Sequence, residues 1–173
     1  MKTICIIGAS KGWTPGLVTD LTCLFDEPLD IRFVDIDASN SELCRQWGET
    51  ANSAFGRKDR YCATTDRKAA LAGADAVIIT ISTGGSDAME YDIAIPEKYG
   101  IYTTVGDTTG PGGWSRSIRN IPVFQRFAED FADICPRAFI ANYTNPMASL
   151  TATLQLGCSN PSVGLCHSYF EVK

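Results

Sequence analysis

The chain has 173 residues, of which 45% are hydrophobic, and its 15 lysines and arginines against 20 aspartates and glutamates give a net charge of −5. This composition is typical of a globular protein with a buried core and differs from that of a disordered chain. Since no basic cluster could neutralise phosphates and no apolar stretch could span a bilayer, we expect neither nucleic-acid nor membrane binding.

Short apolar runs alternate with longer amphipathic segments along the whole chain. In the first half, the pattern predicts a strand at residues 3–7, a helix at 15–25, a strand at 31–34, a helix at 41–54, a strand at 61–64, a short helix at 66–71 and a strand at 76–81. For the helix at 41–54, we expect Ser39 or Ser41 as the N-cap.

The second half continues this alternation and completes the prediction of the fold. The predicted elements are a helix at residues 87–99, a strand at 101–105, a helix at 115–131, a strand at 138–141, a helix at 147–156 and a strand at 163–165. Strands that are apolar along their whole length and alternate with helices predict an α/β protein. We expect a Rossmann-like, doubly wound parallel sheet in three layers, α/β/α, forming one nucleotide-binding domain over residues 1–173.

Seven cysteines are scattered along the chain without a CxxC pair. The apolar run at residues 4–7 is too short to serve as a signal peptide. Scattered cysteines in odd number, without a secretory signal, are typical of reduced thiols in a cytosolic protein. The predicted location is therefore cytoplasmic.

The turn after the first predicted strand has features of a nucleotide-binding loop. Residues 8–12 read Gly-Ala-Ser-Lys-Gly, so that Gly8, Ser10 and Lys11 are candidates to contact a pyrophosphate at the start of the next helix. Ser10 stands where a dinucleotide fingerprint has its second glycine, and any tight turn can use glycine. Asp35, at the end of the second strand, or its competitor Asp37, could accept hydrogen bonds from both ribose hydroxyls, which favours NAD over its 2′-phosphorylated form.

The only histidine of the chain, His167, directly follows Cys166 and the last predicted strand. Thiolate and imidazole are side chains that transition metals prefer, and they also serve nucleophilic and acid–base chemistry. A carboxylate, Asp107, lies in a glycine-rich run, where it could bind hydroxyls or simply shape a turn. Arg116 and Arg119 begin the long helix and are expected to be solvated surface residues.

Several short motifs occur in a specific order through residues 4–168, nearly the whole chain. They are Asp35-Ile36-Asp37; Gly84-Gly85 with residues 95–100 (IPEKYG); residues 106–113 (GDTTGPGG); residues 116–122 (RSIRNIP); Cys135-Pro136; residues 142–147 (NYTNPM); and residues 164–168 (GLCHS). Together they resemble the family 4 glycoside hydrolases, which depend on NAD and a divalent metal.

The resemblance implies an exception to the usual two-carboxylate glycosidase mechanism. In that family, NAD oxidises the 3-hydroxyl of the sugar, and the resulting ketone makes the proton on C2 acidic. A metal ion, manganese above all, stabilises the enediolate, so that the leaving group is eliminated before water adds and the ketone is reduced again. The resemblance thus implies NAD and manganese as cofactors and a small-molecule glycoside as substrate.

The resemblance also assigns roles to individual residues. Cys166 matches the family's metal ligand, and Asn145 matches the asparagine that holds the reacting sugar hydroxyls, although it could instead form an Asx turn before Pro146. His167 could position or protonate the leaving oxygen, or could be a structural histidine bonded to backbone. His167 and Asp107 are the two candidates for a catalytic role. Further cofactor contacts are expected at Thr80, Gly84 and Asn142.

Two departures from the family pattern refine this interpretation. Met89 stands where phospho-sugar branches carry an arginine, and methionine cannot bind a phosphate, so we expect an unphosphorylated substrate. The Cys-His-Ser run at residues 166–168 resembles the branch that acts on α-glycosides. The chain is also shorter than the family, so we expect a second metal-binding histidine, the C2 base and much of a homo-oligomer surface beyond residue 173, and no turnover by these residues alone.

Two other functions are compatible with parts of the pattern. A lactate- or malate-type dehydrogenase has a related fold, but it needs an arginine for the substrate carboxylate, and the Gly-Pro-Gly-Gly and Asn-Pro-Met runs fit the glycosidase better. A non-catalytic module that senses NAD is the third candidate.

Overall fold

The computed structural model describes residues 1–166. The chain divides into two compact units: unit 1 comprises residues 1–81 and 137–140, and unit 2 comprises residues 82–136 with those from 141 onward. Each unit is described by itself below. The prediction that residues 1–173 form one domain stays a prediction.

Unit 1 consists of parallel strands joined by helices. Its elements are β1 (Lys2–Ile7), α1 (Thr14–Leu24), β2 (Leu29–Val34), α2 (Ala38–Phe55), β3 (Arg60–Thr64), α3 (Arg67–Leu71) and β4 (Ala76–Ile79). Strand β1 pairs in parallel with β2 and β4, and β2 pairs in parallel with β3. Because Ile7 is in register with both Val34 and Ile79, the loops after these strands leave the same edge of the sheet. In a doubly wound fold this edge is where ligands bind.

The central strands of unit 1, β1 and β4, are mostly apolar because both faces of the sheet are covered there, whereas the edge strand β3 is only partly buried. Ile6, Ile31 and Ile79 are fully buried, and so is Phe33, whose ring stacks on Tyr61 with 6.0 Å between the ring centroids. Burial on both faces explains why these strands lack the alternation of polar and apolar residues seen in half-exposed sheets.

Unit 2 is built mainly of helices. It contains α4 (Gly85–Glu97), α5 (Gly110–Ile134), α6 (Met147–Gly157) and β6 (Ser162–Gly164), while β5 (Phe139–Asn142) has its first two residues in unit 1 and its last two in unit 2. Helix α5 packs against α4 and α6. No helix within residues 1–166 combines the length and apolar character needed to cross a membrane.

The strand order is β3-β2-β1-β4-β5-β6, with at least one helix in each connection between successive strands. This order, with its crossover from β3 to β4, confirms the predicted Rossmann-like, doubly wound α/β fold.

The strand predicted at residues 101–105 is wrong. This segment has no regular structure, and Ile101, Tyr102 and Val105 are exposed, with Tyr102 at 77%. Its β-branched and aromatic residues fit the propensity of a strand, but the segment pairs with no strand among residues 1–166.

Two helices begin three or more residues earlier than predicted. Helix α5 starts at Gly110 rather than residue 115, since Pro111 is tolerated in the first turn, where an amide would have no partner. Helix α2 starts at Ala38, and its N-cap is Asp37, whose side chain accepts a hydrogen bond from Ser39 N, rather than Ser39 or Ser41. An aspartate fills this position as well as a serine does.

Candidate functional site

The loop after β1 is anchored to both neighbouring strands of unit 1. Gly8 N and Ala9 N donate to Val34 O over 2.8 and 3.1 Å, and the Thr80 hydroxyl donates to Gly8 O over 2.9 Å. Gly8 has φ +88°, and a Cβ at this position would lie 2.6 Å from Thr80 O. Only glycine fits at this position. The hydrogen bonds of Gly8 and Ala9 fix the conformation of the loop.

Thr14 closes the same loop from the helix side. Ser10 N donates to the Thr14 hydroxyl over 2.9 Å, and Thr14 N donates back to Ser10 O over 3.1 Å. Thr14 is 1% exposed, whereas Lys11 and Gly12 lie at the surface, and a Cβ on Gly12 would meet nothing within 4 Å. Sequence reasoning missed Thr14, although a threonine just before a proline at a helix start is a recognisable signal.

The two acidic candidates after β2 have different surroundings. Asp37 is committed to α2: its Oδ1 accepts from Ser39 N and from the Ser39 hydroxyl, and these bonds lower the pKa of its carboxyl. Asp35 accepts through one oxygen, Oδ1, from Asp37 N at 2.9 Å and from Asn40 Nδ2 at 3.5 Å. The geometry therefore favours Asp35 over Asp37 as the residue that could receive hydroxyls.

In unit 2, the glycines around the start of α5 are required by packing. A Cβ on Gly112 would lie 2.7 Å from Asp92 O, and one on Gly113 would lie 2.5 Å from Thr108 O. The chain before α5 thus folds back closely onto the first turn of that helix and onto α4. The glycines serve close packing, which holds Asp107 against α5.

Asp107 and Asn145, two residues singled out from the sequence, are brought together in unit 2. Asp107 Oδ2 accepts from Asn145 Nδ2 over 3.4 Å, and Asp107 Oδ1 accepts from Arg116 Nη1. Asn145 also forms the Asx turn considered for it, since its Oδ1 accepts from Met147 N over 3.2 Å. A carboxylate, an amide and a guanidinium therefore form one polar cluster at the start of α5 and α6.

The expectation that Arg116 and Arg119 are solvated is wrong, since their side chains are only 14% and 28% exposed. Arg119 forms a bidentate pair with Asp92, which is 2% exposed, and this pairing lowers the pKa of the Asp92 carboxyl. Arg119 also lies beside Gly84, where a Cβ would be 3.5 Å from its Nε. Their spacing of three residues places the two arginines on one face of α5, but the sequence alone does not say whether that face is buried.

Asn142 is buried, and its amide is satisfied within unit 2. Its Nδ2 donates to Thr144 O and to the Thr151 hydroxyl over 3.2 and 3.1 Å, and its Oδ1 accepts from Thr144 N over 2.9 Å. These bonds shape the chain between β5 and Asn145. A contact of Asn142 with a cofactor stays a prediction, as do the contacts expected at Thr80 and Gly84.

Cys166 follows β6 and is exposed. Leu165 N donates to Asn142 O over 2.9 Å, so Cys166 leaves β6 beside the end of β5. Within residues 1–166, no three histidine, cysteine or acidic side chains group together as a metal site would require. His167, the candidate substrate contact, lies outside the described residues.

Comparison with known proteins identifies relatives of the whole chain. The model of a family described as "Family 4 glycosyl hydrolase" matches residues 3–173. The chain is 38% identical to an alpha-galacturonidase of Bacillus subtilis, over 98% of this chain and 38% of that protein. It is 36% identical to an alpha-galactosidase of the same organism, over 97% of this chain and 40% of that protein.

A solved structure of a relative has the same fold. The 6-phospho-beta glucosidase of Thermotoga maritima, determined with manganese, NAD+ and glucose-6-phosphate, superposes with a TM-score of 0.85 at 26% identity, over 99% of this chain and 41% of that one. The chain thus spans about two fifths of the length of the relatives it matches.

Proposed function

Because this chain belongs to family 4 of the glycosyl hydrolases, we propose that its protein hydrolyses O-glycosidic bonds of unphosphorylated α-glycosides, with NAD and a divalent metal, manganese first, as cofactors. When bound, NAD supplies hydride removal and return at the sugar ring, and the metal ion supplies positive charge to the sugar oxygens. The observation that carries the proposal is the family match over residues 3–173. We further propose that the protein works in the cytoplasm as a homo-oligomer.

The loop of unit 1 fits a dinucleotide. Gly8 allows a backbone conformation and a close approach that a side chain would prevent, and the turn at Lys11 and Gly12 is exposed and open. Such a turn before a helix offers amides to a pyrophosphate. In this proposal Gly8, Ser10 and Lys11 hold the phosphates, and Asp35 accepts hydrogen bonds from the adenosine ribose.

The described residues fit part of a metal site. Cys166 offers one exposed thiol, and a thiolate is a strong ligand for divalent transition metals. In the proposal, further ligands come from residues beyond 166 and from the sugar itself. In the proposal Cys166 is a metal ligand, and His167 contacts the substrate near the leaving oxygen.

The polar cluster of unit 2 fits a sugar. Asn145 is anchored at both ends of its amide, by Asp107 and by Met147 N, so its remaining donor and acceptor have fixed directions. Adjacent hydroxyls on a sugar ring need such a donor and acceptor at fixed spacing. We assign Asn145 to substrate binding and Asp107 to the catalytic handling of a hydroxyl proton.

The choice of an unphosphorylated α-glycoside rests on two observations. Met89 on α4 offers no charge to a phosphate. The curated relatives described above, at 36–38% identity, are an alpha-galacturonidase and an alpha-galactosidase. An α-linked galactoside or galacturonide is therefore the first substrate to test.

A panel of aryl glycosides tests this function. The protein is freed of cofactors and assayed with α- and β-linked galactosides, galacturonides and glucosides, with and without a 6-phosphate, adding NAD, manganese and a reductant singly and together. We expect release from an unphosphorylated α-glycoside only when NAD and manganese are both present, with deuterium from the solvent entering at C2. Release without NAD, or net accumulation of NADH, would rule the proposal out.

A further inference from the structure

We propose that Arg116 is a positioning residue for Asn145 and acts on it through Asp107. The inference rests on the proposed function in one respect, the role of Asn145 toward the sugar. The arrangement itself is a property of unit 2, and the sequence motif that begins at Arg116 assigned this residue no role.

The carboxylate of Asp107 divides its two oxygens between two partners. Oδ1 accepts from Arg116 Nη1, and Oδ2 accepts from Asn145 Nδ2 at 3.4 Å. The side chains of Arg116 and Asp107 are 14% and 29% exposed, so solvent competes only weakly for the ion pair. Arg116 therefore determines where Oδ2 lies, and Oδ2 determines what Asn145 can do.

The chain Arg116–Asp107–Asn145 fixes the orientation of an amide that could otherwise flip. An ionised carboxylate only accepts hydrogen bonds, so the group of Asn145 that faces Asp107 must be the Nδ2 amine. Its Oδ1 then faces Met147 N, from which it accepts over 3.2 Å. One N–H and one carbonyl lone pair remain, and their directions are set by the two anchored ends.

Arginine suits this task because of where it lies. Arg116 projects from α5, a rigid helix, whereas Asp107 lies on the irregular chain before it. The guanidinium is planar and holds its donors in a fixed fork, so it restrains the carboxylate in both position and rotation. Without it, Asp107 would keep, among its hydrogen bonds with residues 1–166, only the 3.4 Å contact with Asn145, which is longer than a well-formed hydrogen bond.

Steady-state kinetics of the protein loaded with NAD and manganese provide the first test. We expect Arg116→Gln to lower kcat/KM about 10–100-fold, mostly in kcat, because misplacing a group that orients the reacting hydroxyls costs rate rather than affinity. Arg126→Gln, which removes the same charge from an exposed position of α5, should stay within about twofold of wild type. Arg116→Lys, which keeps the cation but loses the fork, should fall between.

A double-mutant cycle separates positioning from general structural support. If Arg116 acts through Asp107, then Arg116→Gln added to Asp107→Asn costs no more than about twofold further in kcat/KM. Losses that multiply, or an Arg116→Gln variant as active as Arg126→Gln, would overturn the inference.

A second readout needs no turnover and keeps the inference distinct from the proposed function. In the ¹H–¹⁵N spectrum, the side-chain amide signals of Asn145, identified by their loss in Asn145→Ala, should move in Arg116→Lys and Arg116→Gln and stay in place in Arg126→Gln. Unmoved signals in the Arg116→Lys variant, which retains the charge and the fold, refute the positioning role. If the wild-type protein has no activity but the Asn145 signals move in the Arg116 variants as expected, only the proposed function is refuted.

Discussion

Asp30 and Arg60 form an ion pair across strands β2 and β3 at the position where the two strands are in register. Arg60 Nε donates to Asp30 Oδ1 over 2.9 Å and Nη2 donates to Oδ2 over 2.7 Å, and Arg32 adds two bonds to the same Oδ2. The Asp30 side chain is 2% exposed. The pair ties β2 to β3 in the register that also sets Val34 opposite Thr64, and Val34 O accepts from the amides of the loop after β1.

Asp30→Asn should destabilise the protein by about 2–4 kcal/mol, because two guanidinium groups lose a buried partner. The pKa of the Asp30 carboxyl lies below its ordinary value of 3.8, first because Arg60 bonds to it and, against the opposing effect of burial, because Arg32 does. The stabilisation is therefore complete above the unfolded pKa and is lost as the pH falls through the folded one. Urea unfolding of both proteins at about pH 7 and at about pH 3 should show the gap narrowing in acid.

Asp75→Asn is the matched control for that change. Asp75 also accepts from a cation, Lys2, but its side chain is 40% exposed and that of Lys2 is 68% exposed. The same substitution there should cost at most about 1 kcal/mol. Equal losses at Asp30 and Asp75 would show that burial of the pair contributes nothing.

Gly8→Ala should lower both stability and NAD affinity. The residue has φ +88°, and the new Cβ would overlap the main-chain oxygen of Thr80, which has no flexible end that could move away. We expect a loss of about 1–3 kcal/mol in the free energy of unfolding. Urea titration and calorimetric titration with NAD measure the two effects.

Gly12→Ala in the same loop separates these effects. Its backbone φ is not in the left-handed region, and a Cβ there would meet nothing within 4 Å. Stability should therefore change by less than about 0.5 kcal/mol, whereas NAD binding weakens if the pyrophosphate approaches this turn. A Gly12→Ala protein with unchanged stability and unchanged NAD affinity would argue against the loop as a phosphate site.

The sequence predicted most of the fold because the periodicity of the apolar residues and the turn residues between the elements agreed with the observed burial. Continuous apolar runs marked β1 and β4, which are covered on both faces, as the full burial of Ile6 and Ile79 shows. The error at residues 101–105 has the opposite cause. Tyr102 and Val105 satisfy strand propensity, but propensity cannot supply a neighbouring strand, and pairing is a long-range property.

The candidate site was predictable only where a residue's role depends on its neighbours in sequence. Gly8 and Asp35 follow strands directly, so their positions were evident from the pattern. Arg116 was not, because its partner Asp107 is nine positions away across a glycine-rich segment whose close packing depends on Asp92 of another helix. Two arginines near the start of a helix give the same sequence pattern whether their side chains face solvent or a carboxylate.

Asp35→Asn and Asp37→Ala should have opposite effects. Asp35 is the proposed ribose acceptor, so its change should weaken NAD binding with little effect on thermal unfolding. Asp37 caps α2 through two bonds from Ser39, so its change should lower the melting temperature with little effect on NAD affinity. The reverse pattern, with NAD affinity lost only at Asp37, would transfer the ribose role to that residue.

Cys166→Ser should abolish high-affinity binding of manganese by the protein, because a serine hydroxyl is a much poorer ligand than a thiolate. Electron paramagnetic resonance of free manganese measures the loss directly, and activity restored by added metal should fall in parallel. Cys23→Ser, which removes another exposed thiol, on α1, is the control and should leave metal binding unchanged. Manganese affinity that survived in Cys166→Ser would exclude the thiol as a ligand, and the ligands would then have to be sought among the other donors.

A loss shared by both variants would indicate general damage from thiol removal. Only a loss confined to Cys166 supports the assignment, because the two changes are chemically identical and differ in position alone.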